Sequence, residues 1–222
     1  MRVLYHQCLS PFCRKVRIVL GEKKLEHELR AEAVWEQRPE FLSLNPAGDV
    51  PVLVESDGTV LADSQAIAEY LDEVSPDPPL LGETPLERAE ARRLIAWFDH
   101  KFDAEVTRNL VGEKVMSRLL RRGHPDSSAI RAGHANVRCH LEYICFLMER
   151  RNWLGGDRFS LADITAAAHF SCIDYIGDVP WDRYEDAKTW YARVKSRPSF
   201  RSILGDTIPG LPPVAAYADL DF

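Results

Sequence analysis

Two hydrophobic periodicities alternate along the first 75 or so residues, and one of them then disappears. Residues 2–6 and 26–30 alternate between apolar and polar side chains, as short strands do. Between them, Phe12, Val16 and Val19 recur at the spacing of one helix face. Beyond about residue 80 only the helical spacing continues. This pattern predicts a mixed sheet-and-helix domain followed by an all-helical one.

Cap and turn residues predict where these elements begin and end. Ser10-Pro11 is typical of an N-cap followed by proline at the first helical position, and Gly21 predicts the helix end. Asp57-Gly58 predicts a hairpin between strands at 50–54 and 59–62. A short helix over 39–44 and a helix opened by Asp63 or Ser64 complete the order βαβ-(α)-ββα.

The domain boundaries follow from proline and capping signals. We predict an α/β domain over 1–76, a linker over 77–85 within a proline-rich stretch, and an α-helical domain over 86–205. A capping box at Thr84 and Glu87 precedes the first long helix of the second domain. Residues 206–222 contain three prolines and no Lys or Arg, so they form a separate apolar and acidic tail.

Charge and cysteine content exclude several classes of function. The net charge of −6 leaves no basic face for nucleic acid or an anionic membrane surface. No stretch approaches the roughly 20 apolar residues of a membrane helix. The five cysteines are irregularly spaced and none forms a metal-ligand pair, which indicates reduced thiols, a cytoplasmic location and no metal.

Ser10 is the first candidate for chemistry. A helix N-terminus stabilises an anion, and a serine hydroxyl placed there can donate a hydrogen bond to a thiolate. Lowering a thiol pKa by two units requires about 2.7 kcal/mol. One hydrogen bond to a charged group supplies about 1.5–3 kcal/mol and the helix terminus about 0.3–1 kcal/mol. The alternative is that Ser10 only caps its helix.

Two cysteines lie near Ser10. Cys13 occupies the second position of a dithiol redox motif, but serine stands at the first position. Cys8 is the other nearby thiol, and its spacing from Cys13 does not fit that motif. We expect both to be packing residues, with thiol chemistry as the alternative.

A second candidate site lies at the entrance of the third strand. A cis bond between Val50 and Pro51 would turn the N–H and C=O of Val50 outward, free to pair with an extended peptide. The alternative is an edge strand that begins with proline. Asp63-Ser64 is an ordinary capping doublet that can also hold the carboxylate and amine of a ligand.

Together these motifs resemble a cytosolic glutathione transferase over about residues 1–205, including a Ser160-Leu161-Ala162-Asp163 folding cap in the helical half. The resemblance implies a thioredoxin-like N-terminal domain, an all-α C-terminal domain and a homodimer. It also implies a glutathione site. Ser10 would face the glutathione sulfur, Val50 would pair with its cysteinyl backbone and Pro51 would shape the turn. Asp63 and Ser64 would hold the γ-glutamyl end.

Two features depart from that family. Asp49 stands where family members often carry Lys, Gln or Thr, and its charge disfavours the net-negative glutathione. The tail resembles that of the transferase-like cell-division proteins of alphaproteobacteria that bind FtsZ filaments. Its candidate partner-binding residues are Tyr217, Asp219, Leu220, Asp221 and Phe222, which we expect to be exposed. The alternative is a tail folded back on its own subunit.

These motifs are compatible with three functions. The first is a cell-division regulator that binds FtsZ filaments, with weak or absent glutathione conjugation. The second is an active transferase in which Ser10 stabilises the glutathione thiolate for attack on an electrophile. The third is a thiol reductase that uses Cys8 or Cys13, although Ser10 in the motif disfavours it.

Overall fold

The computed structural model describes residues 1–121 and 123–220. A four-stranded sheet with the order β2-β1-β3-β4 forms the N-terminal half. Its strands are β1 (Arg2–His6), β2 (His27–Ala31), β3 (Val52–Val54) and β4 (Val60–Ala62). Val3 pairs with Glu28 in the parallel β1–β2 ladder and with Val54 in the antiparallel β1–β3 ladder. Because β1 and β2 are parallel, a helix must cross between them.

The helices of this half are α1 (Pro11–Glu22), α2 (Pro39–Leu44) and α3 (Ser64–Val74). The predicted order of strands and helices is confirmed. Ser10 caps α1 with Pro11 at its first position, as the sequence predicts. The helix ends at Glu22, one residue past the predicted stop, because Lys23 keeps helical backbone angles and its N–H bonds back to Val19.

The C-terminal half is all helical, as predicted. α4 (Pro85–Ala96) begins at the Thr84 capping box and continues over Trp97–Met116 with wider, π-type turns. The remaining helices are α5 (Ser117–Leu119), α6 (Ser127–Met148), α7 (Leu161–Tyr175), α8 (Glu185–Lys195) and α9 (Arg201–Leu204). The N–H of Ser117 bonds to the C=O of Gly112, five residues earlier, which identifies the wider turn. The side chains of the predicted stripe are all buried: Leu94, Phe98, Phe102, Val106 and Leu110.

Helix α7 occupies the centre of the molecule, and every residue from Leu161 to Tyr175 is buried. Its small side chains let neighbouring helices approach on several sides. The Asp163 carboxylate closes the capping box with Ser160 and also accepts from the N–H of Leu154 and the indole N–H of Trp190. Burial raises the pKa of Asp163. Ser160 and Asp163 therefore form a structural cap.

Buried polar contacts join the two halves. Lys15 of α1 bonds to Asp99 of the π-type segment, and Asp99 also contacts His169 of α7 at 3.3 Å. Arg14 of α1 donates to the Ser171 hydroxyl of α7 at 2.8 Å. A buried ion pair is costly to disrupt, because removing one partner leaves the other charge unpaired. These contacts fix the sheet half against the helical half.

The expectation that Tyr217 in the tail is exposed is wrong. Tyr217 is completely buried and its hydroxyl donates to the Ile203 carbonyl at 3.1 Å. The Val214 N–H bonds to the Tyr175 carbonyl, and the Tyr175 hydroxyl donates to the Leu211 carbonyl. Residues 206–217 thus pack on their own subunit, because the Tyr217 ring gains more from this buried pocket than from solvent.

Candidate functional site

The first candidate site is a cavity of about 510 Å³ at the entrance of β3, which we call the strand cavity. It brings together four of the five residues that the sequence predicts for glutathione binding, namely Val50, Pro51, Asp63 and Ser64. The helical half supplies another part of the wall through Arg92, Ile95, Ala96, Asp99, His100 and Arg108. The cavity therefore lies between the two halves.

The backbone at the β3 entrance has the predicted form. The Val50–Pro51 bond is cis, and Pro51 is buried while Val50 is half-buried. Among residues 1–121 and 123–220, no group forms a hydrogen bond with the N–H or C=O of Val50. An extended peptide can therefore pair with this residue as an added strand does.

Asp63 and Ser64 open α3 at the other side of the same cavity. Asp63 has a positive φ of 74°, and its carboxylate accepts from the N–H groups of Gln65 and Ala66 at 2.8 and 2.9 Å. The Ser64 side chain is only 5% exposed. Its hydroxyl has no hydrogen-bond partner in the described part of the chain. Ser64 thus offers an unused hydroxyl to a ligand.

Three cations near the cavity are already paired with carboxylates. Arg92 holds Glu69 through two hydrogen bonds of 3.0 and 2.7 Å, and hydrogen bonding from Arg92 lowers the pKa of Glu69.

Lys15 bonds to Asp99, and Arg108 bonds to Asp103 at 2.7 Å. Burial pushes the pKa of Asp99 up, yet hydrogen bonding from His169 and the Lys15 charge hold it below its usual value.

Ser10 lies in a neighbouring cavity of about 530 Å³, which we call the serine cavity. Its wall is largely apolar and includes Leu9, Trp35, Val111, Met116 and Ile208. Phe12 and Arg108 line both cavities. The structure thus brings Ser10 next to the other predicted glutathione-binding residues without placing it in the same cavity.

The contacts of Ser10 are those of a helix cap. Its hydroxyl oxygen accepts from the Cys13 N–H at 3.3 Å. Cys13 is fully buried, and burial raises the pKa of its thiol to about 12. Burial also raises the pKa of Cys8, which is half-buried. A thiol that stays protonated is a poor nucleophile, so these contacts favour the packing interpretation of both cysteines.

Several lining residues of the strand cavity had no signal in the sequence. Glu69 lies on the same helix as Ser64, but Arg92, Asp99 and Arg108 come from a distant part of the chain. Polar residues on a long amphipathic helix are ordinarily solvent-facing. Only the folded arrangement of the two halves places them in this wall.

Membrane-spanning helices and clusters of metal-binding side chains are two features that would indicate further functions. Within residues 1–121 and 123–220, no helix combines the length and apolar character that crossing a membrane requires. The same ranges contain no group of three or more His, Cys, Asp or Glu side chains arranged to hold a metal ion.

The family is decided by comparison with known proteins. The model of the glutathione S-transferase N-terminal domain matches residues 9–74, and that of the C-terminal domain matches residues 108–198. The chain belongs to the glutathione S-transferase family. Within this family it is 54% identical to the FtsZ-localized protein A of Caulobacter vibrioides, covering 100% of this chain and 98% of the relative. The fold predicted from the sequence is therefore confirmed.

Two solved structures of this family are similar over the whole chain. A glutathione S-transferase from Rhodospirillum rubrum is 57% identical with a TM-score of 0.98, covering 100% of both chains. FzlA from C. crescentus is 54% identical with a TM-score of 0.97, covering 100% of this chain and 99% of the other. The tail is included in both comparisons.

The second candidate site is the end of that tail. Asp219 and Leu220 are exposed, and Leu220 retains 39% of its surface. Asp221 and Phe222, which the sequence also predicts to bind a partner, lie outside the described residues. The structure thus separates a buried anchor, Tyr217, from the exposed acidic and apolar pair Asp219 and Leu220.

Proposed function

We propose that this member of the glutathione S-transferase family is a cell-division regulator that binds FtsZ filaments, with weak or absent glutathione conjugation. The observation that carries the proposal is the 54% identity over the full length to the FtsZ-localized protein A of Caulobacter vibrioides. The similarity includes the tail, which common transferase chemistry does not require.

The strand cavity supports the low glutathione affinity. Asp49 lines the wall of this cavity, and the Asp49 carboxylate accepts a hydrogen bond from the neutral Asn45 amide at 2.6 Å. In the described part of the chain, no cationic side chain pairs with the negative charge of Asp49. Glutathione has one more carboxylate than amine, so this charge opposes its binding. Conjugation also requires the tripeptide to reach Ser10, which lies in the neighbouring cavity.

The end of the tail supplies the filament-binding residues in this proposal. Asp219, Leu220, Asp221 and Phe222 combine apolar contact area with negative charge, which is suited to a partner groove with a basic rim. Tyr217 acts as the anchor that holds this segment at a fixed place on the subunit. The protein works as a cytoplasmic homodimer, so that two tails engage one filament bundle with increased avidity.

Co-sedimentation with purified FtsZ filaments tests this function. A chain that ends at Ala218 keeps the Tyr217 anchor and lacks residues 219–222, and we expect it to stay in the supernatant while the full chain pellets. Tyr217→Phe is the matched control, because it keeps the ring and residues 219–222.

Light scattering should give the mass of a dimer for all three chains. Equal pelleting of full and shortened chains would contradict the role of the tail. No pelleting of the full chain, together with rapid glutathione conjugation, would favour the transferase function.

A further inference from the structure

We propose that the outer edge of strand β2 is a docking surface for a second copy of this chain. The second copy adds its own β2 in antiparallel orientation, centred on Leu29, so that the two sheets join. This contact is additional to the homodimer, and the proposal does not depend on filament binding by the tail. It rests on the open backbone edge of β2 and on a charge pattern that matches its own reverse.

The backbone of β2 is open on one side. β2 forms a border of the sheet, and the Glu32 N–H just after it donates to the His6 carbonyl of β1 at 3.0 Å. Because backbone groups alternate sides along a strand, those of His27, Leu29 and Ala31 point away from β1. None of these outward groups has a hydrogen-bond partner within residues 1–121 and 123–220. Such an edge can pair with another strand.

Two opposite charges flank the middle residue of this strand. Glu28 accepts from Arg30 at 2.9 Å, and both side chains are nearly half exposed. Arg30 also donates to the Tyr5 hydroxyl at 3.1 Å. Leu29 lies on the other face of the sheet, in register with the buried Leu4, and keeps 38% of its surface exposed. The edge therefore presents one apolar side chain between a carboxylate and a guanidinium.

The order of these charges selects one register and one direction. In antiparallel pairing centred on Leu29, Glu28 of each copy lies opposite Arg30 of the other, and the two leucines lie opposite each other. Pairing centred on Glu28 or on Arg30 places like charges opposite each other, and so does parallel pairing in register. Charged residues on an edge strand ordinarily oppose edge-to-edge contact, and here only one arrangement escapes that repulsion.

The backbone agrees with the same register. Leu29 faces outward, so the two copies of this residue can exchange both of their backbone hydrogen bonds, and His27 can do the same with Ala31. Glu28 and Arg30 then occupy the positions between these bonded pairs. Opposite Cα atoms are about 4.5 Å apart there, and side chains approach most closely. The ion pairs thus form at the shortest separation that the ladder offers.

The flanking residues and the length of β2 indicate a weak contact. Glu26 would lie opposite Glu32 of the second copy, but Arg38 already holds the Glu32 carboxylate. The strand has five residues, and a pair of short strands is only marginally stable in water. The contact therefore forms in concentrated protein, or where copies are held side by side on a common partner. Dilute protein remains a dimer in light scattering.

Charge reversal tests the register. Glu28→Arg and Arg30→Glu each place like charges opposite each other, and we expect each to weaken self-association by about tenfold. An equimolar mixture of the two variants restores both ion pairs between unlike copies, so it should associate as the parent does. Sedimentation velocity over rising protein concentration at low ionic strength measures this. Unchanged association of the single variants, or no recovery in the mixture, would overturn the proposal.

Cysteine trapping tests the position of the axis. Leu29→Cys places two cysteines opposite each other with Cα atoms about 5.5 Å apart, which is within reach of a disulfide. A Cys139→Ser background removes the exposed native thiol. Val60→Cys is the matched control, because Val60 is 37% exposed and lies on β4, the opposite border of the sheet.

After oxidation of concentrated protein, we expect disulfide-linked pairs of the Leu29→Cys chain on a non-reducing gel and few for the control. The parent melting temperature in both reduced variants shows that the fold is kept. Equal cross-linking of the two variants, or none in either, would overturn the assignment of the docking surface to β2.

Discussion

The ring of Tyr217 lies over the guanidinium of Arg14, with 5.7 Å between Arg14 Cζ and the ring centroid. The Arg14 Nε in turn donates to the Cys8 carbonyl at 2.7 Å, in the loop that leads to Ser10. The buried arginine thereby connects the tail to the loop that lines the serine cavity. A cation over an aromatic ring is stabilised by the ring's negative face, and this contact is shielded from water.

Tyr217→Ala should lower the free energy of unfolding by about 3–5 kcal/mol, because it removes a fully buried aromatic side chain. Tyr217→Phe removes only the hydrogen bond to Ile203 and should cost about 0.5–1.5 kcal/mol. Urea denaturation followed by tryptophan fluorescence measures both values. Equal stability of the alanine variant and the parent would mean that the tail is not packed in solution.

Ser10→Ala should lower the free energy of unfolding by about 1 kcal/mol, because it removes the cap of α1. Ser10→Asn keeps a capping oxygen and should cost less. We expect turnover of chlorodinitrobenzene with glutathione to be close to background in the parent and in both variants. Rapid turnover by the parent that disappears in Ser10→Ala would instead establish Ser10 as the residue that stabilises the glutathione thiolate.

Two buried histidines should make stability depend on pH. Burial lowers the pKa of His140 from 6.5 to about 4, despite its hydrogen bond with Glu105. Burial and the charge of Arg17 lower the pKa of His6 to about 4 as well. Below pH 6.5 the unfolded chain binds protons that the folded chain does not, so stability falls as the pH falls towards 4.

The expected loss for each of these histidines is about 1.2 kcal/mol in total between pH 7 and 5.5, and its slope approaches about 1.4 kcal/mol per pH unit at lower pH. Urea titrations from above pH 7 down to about 5.5 measure it, since most carboxylates stay ionised over that window. His140→Gln should reduce the slope by about half relative to the parent. His124→Gln is the control, because His124 is exposed and its substitution should leave the slope unchanged.

Thiol reactivity should follow burial. Iodoacetamide is expected to modify the exposed Cys139 first, while Cys13 and Cys172 react only in denaturant, because burial raises their pKa values to about 12 and about 11. Peptide mass spectrometry of native and unfolded samples measures this order. Fast native modification of Cys13 would reopen the thiol reductase hypothesis, which a Cys8→Ser, Cys13→Ser double variant then tests.

Local sequence signals were sufficient where the determining contacts are themselves local. Ser10, Thr84 and Ser160 each bond to N–H groups within three residues, so the helix starts could be predicted from neighbouring residues alone. The pairing of Asp63 with the first turn of α3 belongs to the same class. The cis bond before Pro51 does not, because the local sequence left an edge strand open and the family resemblance implied the cis form.

Tertiary contacts decided the features that the sequence left open. The acidic, proline-rich composition of the tail predicts that Tyr217 is exposed. Its burial depends instead on contacts with Arg14 and Ile203.

The charge of the strand cavity likewise depends on Arg92, Asp99 and Arg108, which reach it from the helical half. The sequence by itself determined the helix caps and the order of strands and helices along the chain, because hydrogen bonding and periodicity act over a few residues. The family followed from the resemblance of its motifs to those of glutathione transferases. The tertiary structure decided which carboxylates remain unpaired and which aromatic ring is covered, because those properties depend on residues far apart in the chain.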